Sequence, residues 1–241
     1  MSTETRSPLQ SPSILSAAYW KEAAGNLKNT RMLALAALVV ALRAVCKMLE
    51  IPLAPGVNIN VAAFFNSVGA MVYGPVVGLV GAIVSDPLGY LLHPDGPYFL
   101  PYMLVDMSSS FLFGLFFWKR PLSVERTLAA KFSINLVSNI LLTSVITKWY
   151  VAFFQMDKVY NLVNMTRIVK NLVLFPIEAI LIAVVLGALS PALYRLRLLP
   201  EKPDLRLRTR HYIMVGLLTL LSIALVLFYV FFLHRAGHIF L

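Results

Sequence analysis

Long apolar stretches separated by short polar ones run the length of this chain. Seven of them read as membrane spans, at residues 32–49, 61–73, 76–92, 102–118, 132–150, 168–194 and 212–233, since a helical span needs about 20 mostly apolar residues. The second is short and stops at Gly74-Pro75, and His93-Pro-Asp-Gly-Pro97 marks a sharp turn after the third, both being strong breaker signals. Residues 51–60, with Pro52, Pro55 and Gly56, read as a loop, 119–131 as a basic connection and 151–165 as a mixed loop. Ahead of the first span, residues 1–12 are rich in Ser, Thr and Pro and read as disordered. Residues 13–29 carry Tyr19, Trp20 and Leu27 among Lys21, Glu22 and Lys28, the pattern of an amphipathic helix lying along a membrane surface.

Composition supports this reading. Of 241 residues, 59% are hydrophobic and 13% charged, against roughly a quarter charged in soluble domains. The chain is therefore expected to be an all-α integral membrane protein with no sizeable soluble domain. A net charge of +10 is explained by topology better than by nucleic acid. With the N-terminus inside, the inner segments collect Lys21, Lys28, Arg31, Lys119, Arg120, Arg126, Lys131 and the basic linker 196–211, as the positive-inside rule requires. This orientation makes the N-terminus cytoplasmic and the C-terminus extracellular. Cys46 is the sole cysteine, which excludes an intrachain disulfide and a thiolate metal cage.

Four cations break the apolar pattern. Arg43 and Lys47 lie within the first span, while Arg167 and Lys170 lead into the sixth. A cation in hydrocarbon is costly unless it pairs or faces a wet cavity. The i,i+4 and i,i+3 spacings put each pair on one helix face, and both pairs fall near the outer surface, so they point to a pocket for an anionic solute. Snorkelling to the headgroups competes for Lys47, but less for Arg43, about 10 Å deeper than Glu50. Asp86, well inside the third span, has two readings. Its carboxylate can accept two parallel hydrogen bonds from an amidine-like edge such as that of a pterin, or it can pair with Arg43. The segment 93–102 holds Tyr98, Phe99 and Tyr102 among three prolines. Its rings, with Trp149 and Tyr150, serve either as a lipid belt or as a stacking surface for a flat solute. Glu178 reads as half of an internal pair. Ala37 and Ala41 lie roughly 120° around the first span from the cations, a small-residue surface of the kind that allows close helix contact.

Enzyme signatures are missing: the sequence has no phosphate loop, no H-E-x-x-H and no G-x-S-x-G. An uphill transporter built this way draws its energy from another subunit.

Several blocks then resemble a known family. They are Leu27-Lys-Asn-Thr-Arg31, Ala36-Ala-Leu-Val-Val-Ala-Leu-Arg43, Tyr73-Gly-Pro-Val-Val-Gly78, Asp86 with Leu88-Gly-Tyr90, Gly96-Pro-Tyr-Phe99, and Arg167-Ile-Val-Lys-Asn-Leu-Val-Leu-Phe-Pro-Ile177. In this order they resemble the substrate-binding S component of an energy-coupling factor (ECF) vitamin transporter of the folate type. The resemblance implies a six-helix core over 30–195; the apolar run at 212–234 adds a C-terminal transmembrane helix beyond that core, followed by a tail at 235–241. It implies that folate or a reduced folate is captured from outside. Delivery inward follows association with a transmembrane coupling subunit and two ABC ATPases, which use the ATP, while this chain holds no cofactor. It adds Asn58, Asn60, Tyr90 and Asn139 to the expected binding set of Arg43, Lys47, Asp86, Tyr98, Phe99, Trp149, Arg167 and Lys170, and makes Ala37 and Ala41 the docking surface for the coupling subunit. The chain departs from the family pattern at Pro87, at Asn58 and Asn60 where a basic residue is common, at the added acid Asp106, and in the seventh span. These departures bear on the solute rather than on the class. Another vitamin or anionic metabolite is the alternative within the class. A membrane-embedded enzyme or a scaffold contacting anionic lipid headgroups is the alternative outside it.

Overall fold

A computed structural model describes residues 13–54, 57–94, 96–156 and 165–200, together with scattered helical residues between 213 and 227. Residues 201–211 of the expected linker 196–211 and most of the expected seventh span lie outside the described residues, as do residues 1–12. Those of the span that are described, among them Ile213, Leu217, Leu220 and Leu221, are helical and exposed.

Helix α1 (Ala17–Gly25) buries Tyr19 and Ala23 against Trp118, and Trp20 stacks on Phe111 at 5.9 Å. The helical segment Ala17–Lys28 then bends by 79° into α2 (Thr30–Cys46). Asn29 caps α2 by accepting from the Arg31 and Met32 amides, which satisfies two of the donors a helix start leaves open. Residues 50–60, expected to be a loop, form an antiparallel hairpin of β1 (Glu50–Ala54) and β2 (Val57–Asn60), with Ile51 opposite Ile59 and Pro52 opposite Asn58. Pro52 reads as a breaker in sequence, but a two-stranded ribbon is all edge and tolerates a residue without an amide hydrogen.

Helix α3 (Ala62–Leu92) is two helical segments joined at Gly74, whose φ of 84° and ψ of −178° are not helical. Only glycine adopts that conformation readily, and an added Cβ would lie 2.8 Å from the Trp118 ring. Asn60, just before this element, and His93, just after it, line the same cavity. A straight helix of this length would separate its ends by about 45 Å, so the second segment returns to the side the first came from. The expected second and third spans are these two arms.

A 3-10 turn (Leu100–Tyr102) leads into α4 (Met103–Phe117). Gly114 lets α4 approach closely, since a Cβ there would sit 2.5 Å from Pro75 Cα. Helix α5 (Val124–Ile134), a π-helical segment (Asn135–Leu142) and α6 (Thr143–Phe153) form one continuous span. This corrects the expected connection at 119–131. Ser123 caps α5 by accepting from the Arg126 amide, so the helix begins before the hydrophobic run does and carries Lys131 into the bundle, where it is 3% exposed. Helix α7 (Met165–Arg195) completes the described core. Ala70, Phe113, Phe117, Ile134, Ile182 and Leu186 form the buried centre between α3, α4, α5 and α7, while Leu38, Val84, Leu141 and Val184 face outward.

Candidate functional site

One end of the bundle holds a cavity of about 590 Å³, bounded by the β-hairpin, the end of α2, the returning arm of α3 and the segment around Tyr98. Pockets for small ligands span roughly 300–1,000 Å³. Of the residues expected to bind solute, Lys47, Asn58, Asn60, Asp86, Tyr90, Tyr98 and Phe99 line it, joined by His93, Tyr102 and Tyr150.

Asp86 projects from the returning arm of α3. Its Oδ1 accepts from Lys47 Nζ at 3.1 Å and its Oδ2 from the Tyr98 hydroxyl at 3.1 Å. Burial, then the Asp86 charge, pushes the Tyr98 hydroxyl up to about 12, so it stays protonated and donating at any physiological pH. Lys47 also reaches Asp106 Oδ2 at 2.9 Å, and Asp106 in turn pairs with Arg43 Nη2 at 3.4 Å. Two cations and two carboxylates thus form one charge-balanced quartet across α2, α3 and α4. Asp106 stands in the first turn of α4, where the helix dipole favours an acid. Gly89 leaves room for the lysine, since a Cβ there would meet Lys47 Cδ at 2.5 Å.

Arg43 does not line the cavity. It is 3% exposed and donates to Ser110 Oγ, which bonds Asn66 Oδ1 at 2.9 Å. Its partner among the acids is Asp106, and Asp86 belongs to Lys47. Distances between spans are not written in the sequence, where Asp106 is only an added intramembrane acid. Its signal was stoichiometric: Arg43 and Lys47 in the membrane face two carboxylates, Asp86 and Asp106, and intramembrane charges pair.

The aromatic side is continuous. Tyr90 and Tyr98 rings lie 4.9 Å apart, and Phe99 packs on Tyr102, Trp149 and Tyr150 at 5.5–6.1 Å. Gly96, at φ 83°, turns the chain so that its carbonyl accepts from Tyr90 at 2.7 Å. Trp149 itself is exposed and supports Phe99 from outside the cavity. Arg167 docks on α6, donating to Ser144 Oγ at 3.4 Å and Thr147 Oγ1 at 3.2 Å, and Thr147 bonds the cavity-lining Tyr102 at 2.9 Å. Lys170 is half-buried one turn further along α7. Asn139 donates to Asn135, which bonds the Asn171 carbonyl, so it belongs to the packing of the π-helical segment on α7. Ala37 and Ala41 are exposed and line a separate apolar groove with Ala36, Val77, Val80 and Gly81.

A multi-helix bundle with membrane-length helices and a polar, ring-lined cavity at one end can hold a small solute. The family model described as "ECF-type riboflavin transporter, S component" matches residues 27–195, well over half of the chain, and the chain belongs to that family. It is thus a multi-pass membrane component of a transporter class, not an enzyme. Two curated relatives are both described as folate transporter FolT. That of Clostridium novyi is 32% identical over 117 residues, covering 48% of this chain and 64% of its own length, so the chain spans just under two thirds of that relative. That of Leuconostoc mesenteroides subsp. mesenteroides is 29% identical over 157 residues, covering 62% of this chain and 81% of its own. A solved structure described as FolT bound with folic acid aligns with a TM-score of 0.55 at 23% identity, over 65% of this chain and 91% of that one. At that identity the likeness carries the fold.

Proposed function

We propose that this chain captures folate or a reduced folate from outside the cell. It then delivers the vitamin inward in association with a transmembrane coupling subunit and two ATPases. Asp86 is the observation that carries the reading. Each of its oxygens spends one lone pair, on Lys47 or on Tyr98, and each keeps capacity for a further bond. Two acceptors held beside the Tyr90 and Tyr98 rings suit the adjacent N–H and NH₂ donors of a pterin edge. The relatives described as folate transporters support the same solute class. Arg43 and Lys47 are already balanced by Asp86 and Asp106, so the glutamate carboxylates of a folate fall to the side of Arg167 and Lys170. The cavity faces outward, the N-terminus is cytoplasmic and the C-terminus extracellular, because the basic segments 21–31, 119–126 and 195–210 then stand on the inner side.

Riboflavin is the second reading, from the description of the family model. Its ring offers a single N–H flanked by two carbonyls, which places acceptors against the carboxylate oxygens. The two are separated by titrating purified protein with each vitamin. Folic acid should saturate at about micromolar concentration or below, a binding free energy near −8 kcal/mol, with riboflavin much weaker. Tight riboflavin binding without folate binding would reverse the assignment.

A further inference from the structure

Lys131 on α5 and Glu178 on α7 form a buried ion pair, 3% and 4% exposed. A buried pair of this kind is often no more stabilising than two apolar side chains of similar volume, so pairing alone gives little reason for its presence. The second carboxylate oxygen supplies one. Glu178 Oε1 accepts the main-chain N–H of Asn60 at 3.3 Å, and Asn60 is the last residue of β2. The Asn60 side chain in turn accepts from the Ala63 amide at 3.3 Å, at the start of α3. Asn58, Ile59 and Asn60 together form one wall of the cavity.

A two-stranded ribbon is marginal by itself, and of the β2 residues whose burial is described only Ile59 is buried. Hydrophobic packing therefore gives this wall little fixity. We infer that Glu178 is a positioning residue: held in place by Lys131, it anchors the base of the hairpin through the Asn60 amide and so fixes the cavity wall against the bound solute. Lys131 orients the carboxylate, and the carboxylate orients the strand. Neither touches the solute. The inference rests on the folate-binding reading for its functional consequence but not for the anchor itself.

Two double variants isolate the anchor. Lys131→Met with Glu178→Gln removes the ion pair and keeps an acceptor for the Asn60 amide. Lys131→Met with Glu178→Leu removes both. Neither leaves an unpaired buried charge, so both are expected to fold, the leucine variant with a somewhat lower melting temperature. The glutamine variant should release folic acid at nearly the wild-type rate. The leucine variant should release it about tenfold faster, the consequence of leaving one donor unmatched. Hydrogen exchange of the amides at 57–61 in ligand-free protein should be faster in the leucine variant alone. Equal dissociation and equal exchange in the two variants would overturn the inference. If wild-type protein binds no folic acid, the functional reading fails, and the exchange comparison still decides the anchor. Should the leucine variant not fold, Glu178→Met with Lys131→Met makes the same deletion with an unbranched chain.

Discussion

Arg43 and Lys47 look alike in sequence, one turn apart on one helix, and the structure separates them. Lys47 reaches the cavity wall, while Arg43 lies beneath it, bound to Asp106 and Ser110. Their removal should therefore have different consequences. Arg43→Ala empties a buried site beside Ser110 and leaves the part-exposed Asp106 with Lys47 alone, and truncating a large buried side chain costs about 2–5 kcal/mol. The expected outcome is a large fall in thermal stability in detergent, with folate affinity of the remaining folded protein changed less than about tenfold. A variant with wild-type melting and lost affinity would return Arg43 to direct solute contact. Asp86→Asn is the converse case. Lys47 keeps Asp106 as partner, so the fold should be retained.

Helix α2 carries two chemistries on different faces. Arg43 and Cys46 turn inward, while Ala37 and Ala41 are exposed along a groove shared with the returning arm of α3. Small residues admit a close helix from another subunit. Ala41→Trp should therefore leave folate affinity near wild type, while ATP-driven uptake and copurification with the coupling subunit are nearly abolished. Loss of binding together with uptake would instead mean that the groove packs within the bundle. Hydrophobic period and breakers made most of the elements legible: the Gly74 reversal, the arms of α3, α4 and α7 stand where runs and turns put them. Two elements were not legible. The hairpin hides behind Pro52, because pairing depends on what lies opposite rather than on the strand's own residues. The start of α5 hides behind its charges, because a capped helix of mixed polarity shows no apolar run until Phe132. Lys131 then reads as a surface cation until its buried partner on α7 is seen. The cavity's aromatic wall and Asp86 were visible as residue types; the division of Arg43 from Lys47 required distances.

At the scale of the molecule, the buried charges among the described residues are each paired with an opposite one. The Arg43–Lys47–Asp86–Asp106 quartet closes one end, the Lys131–Glu178 pair ties the middle to the hairpin, and leucines and valines cover the outer faces. A neutral quartet can take a neutral heterocycle without an electrostatic penalty, and the proposed function makes Asp86 the reader of the pterin edge. The most direct measurement is a thermodynamic cycle by calorimetry. Wild type and Asp86→Asn are each titrated with folic acid and with an analogue in which the pterin 2-amino group is replaced by methyl. Each single change should weaken binding by about 1.5–3 kcal/mol, the range for hydrogen bonds to a charged group. The two together should cost little more than one, because they remove the same interaction. Fully additive losses, or an unchanged affinity in Asp86→Asn with wild-type stability, would contradict the account.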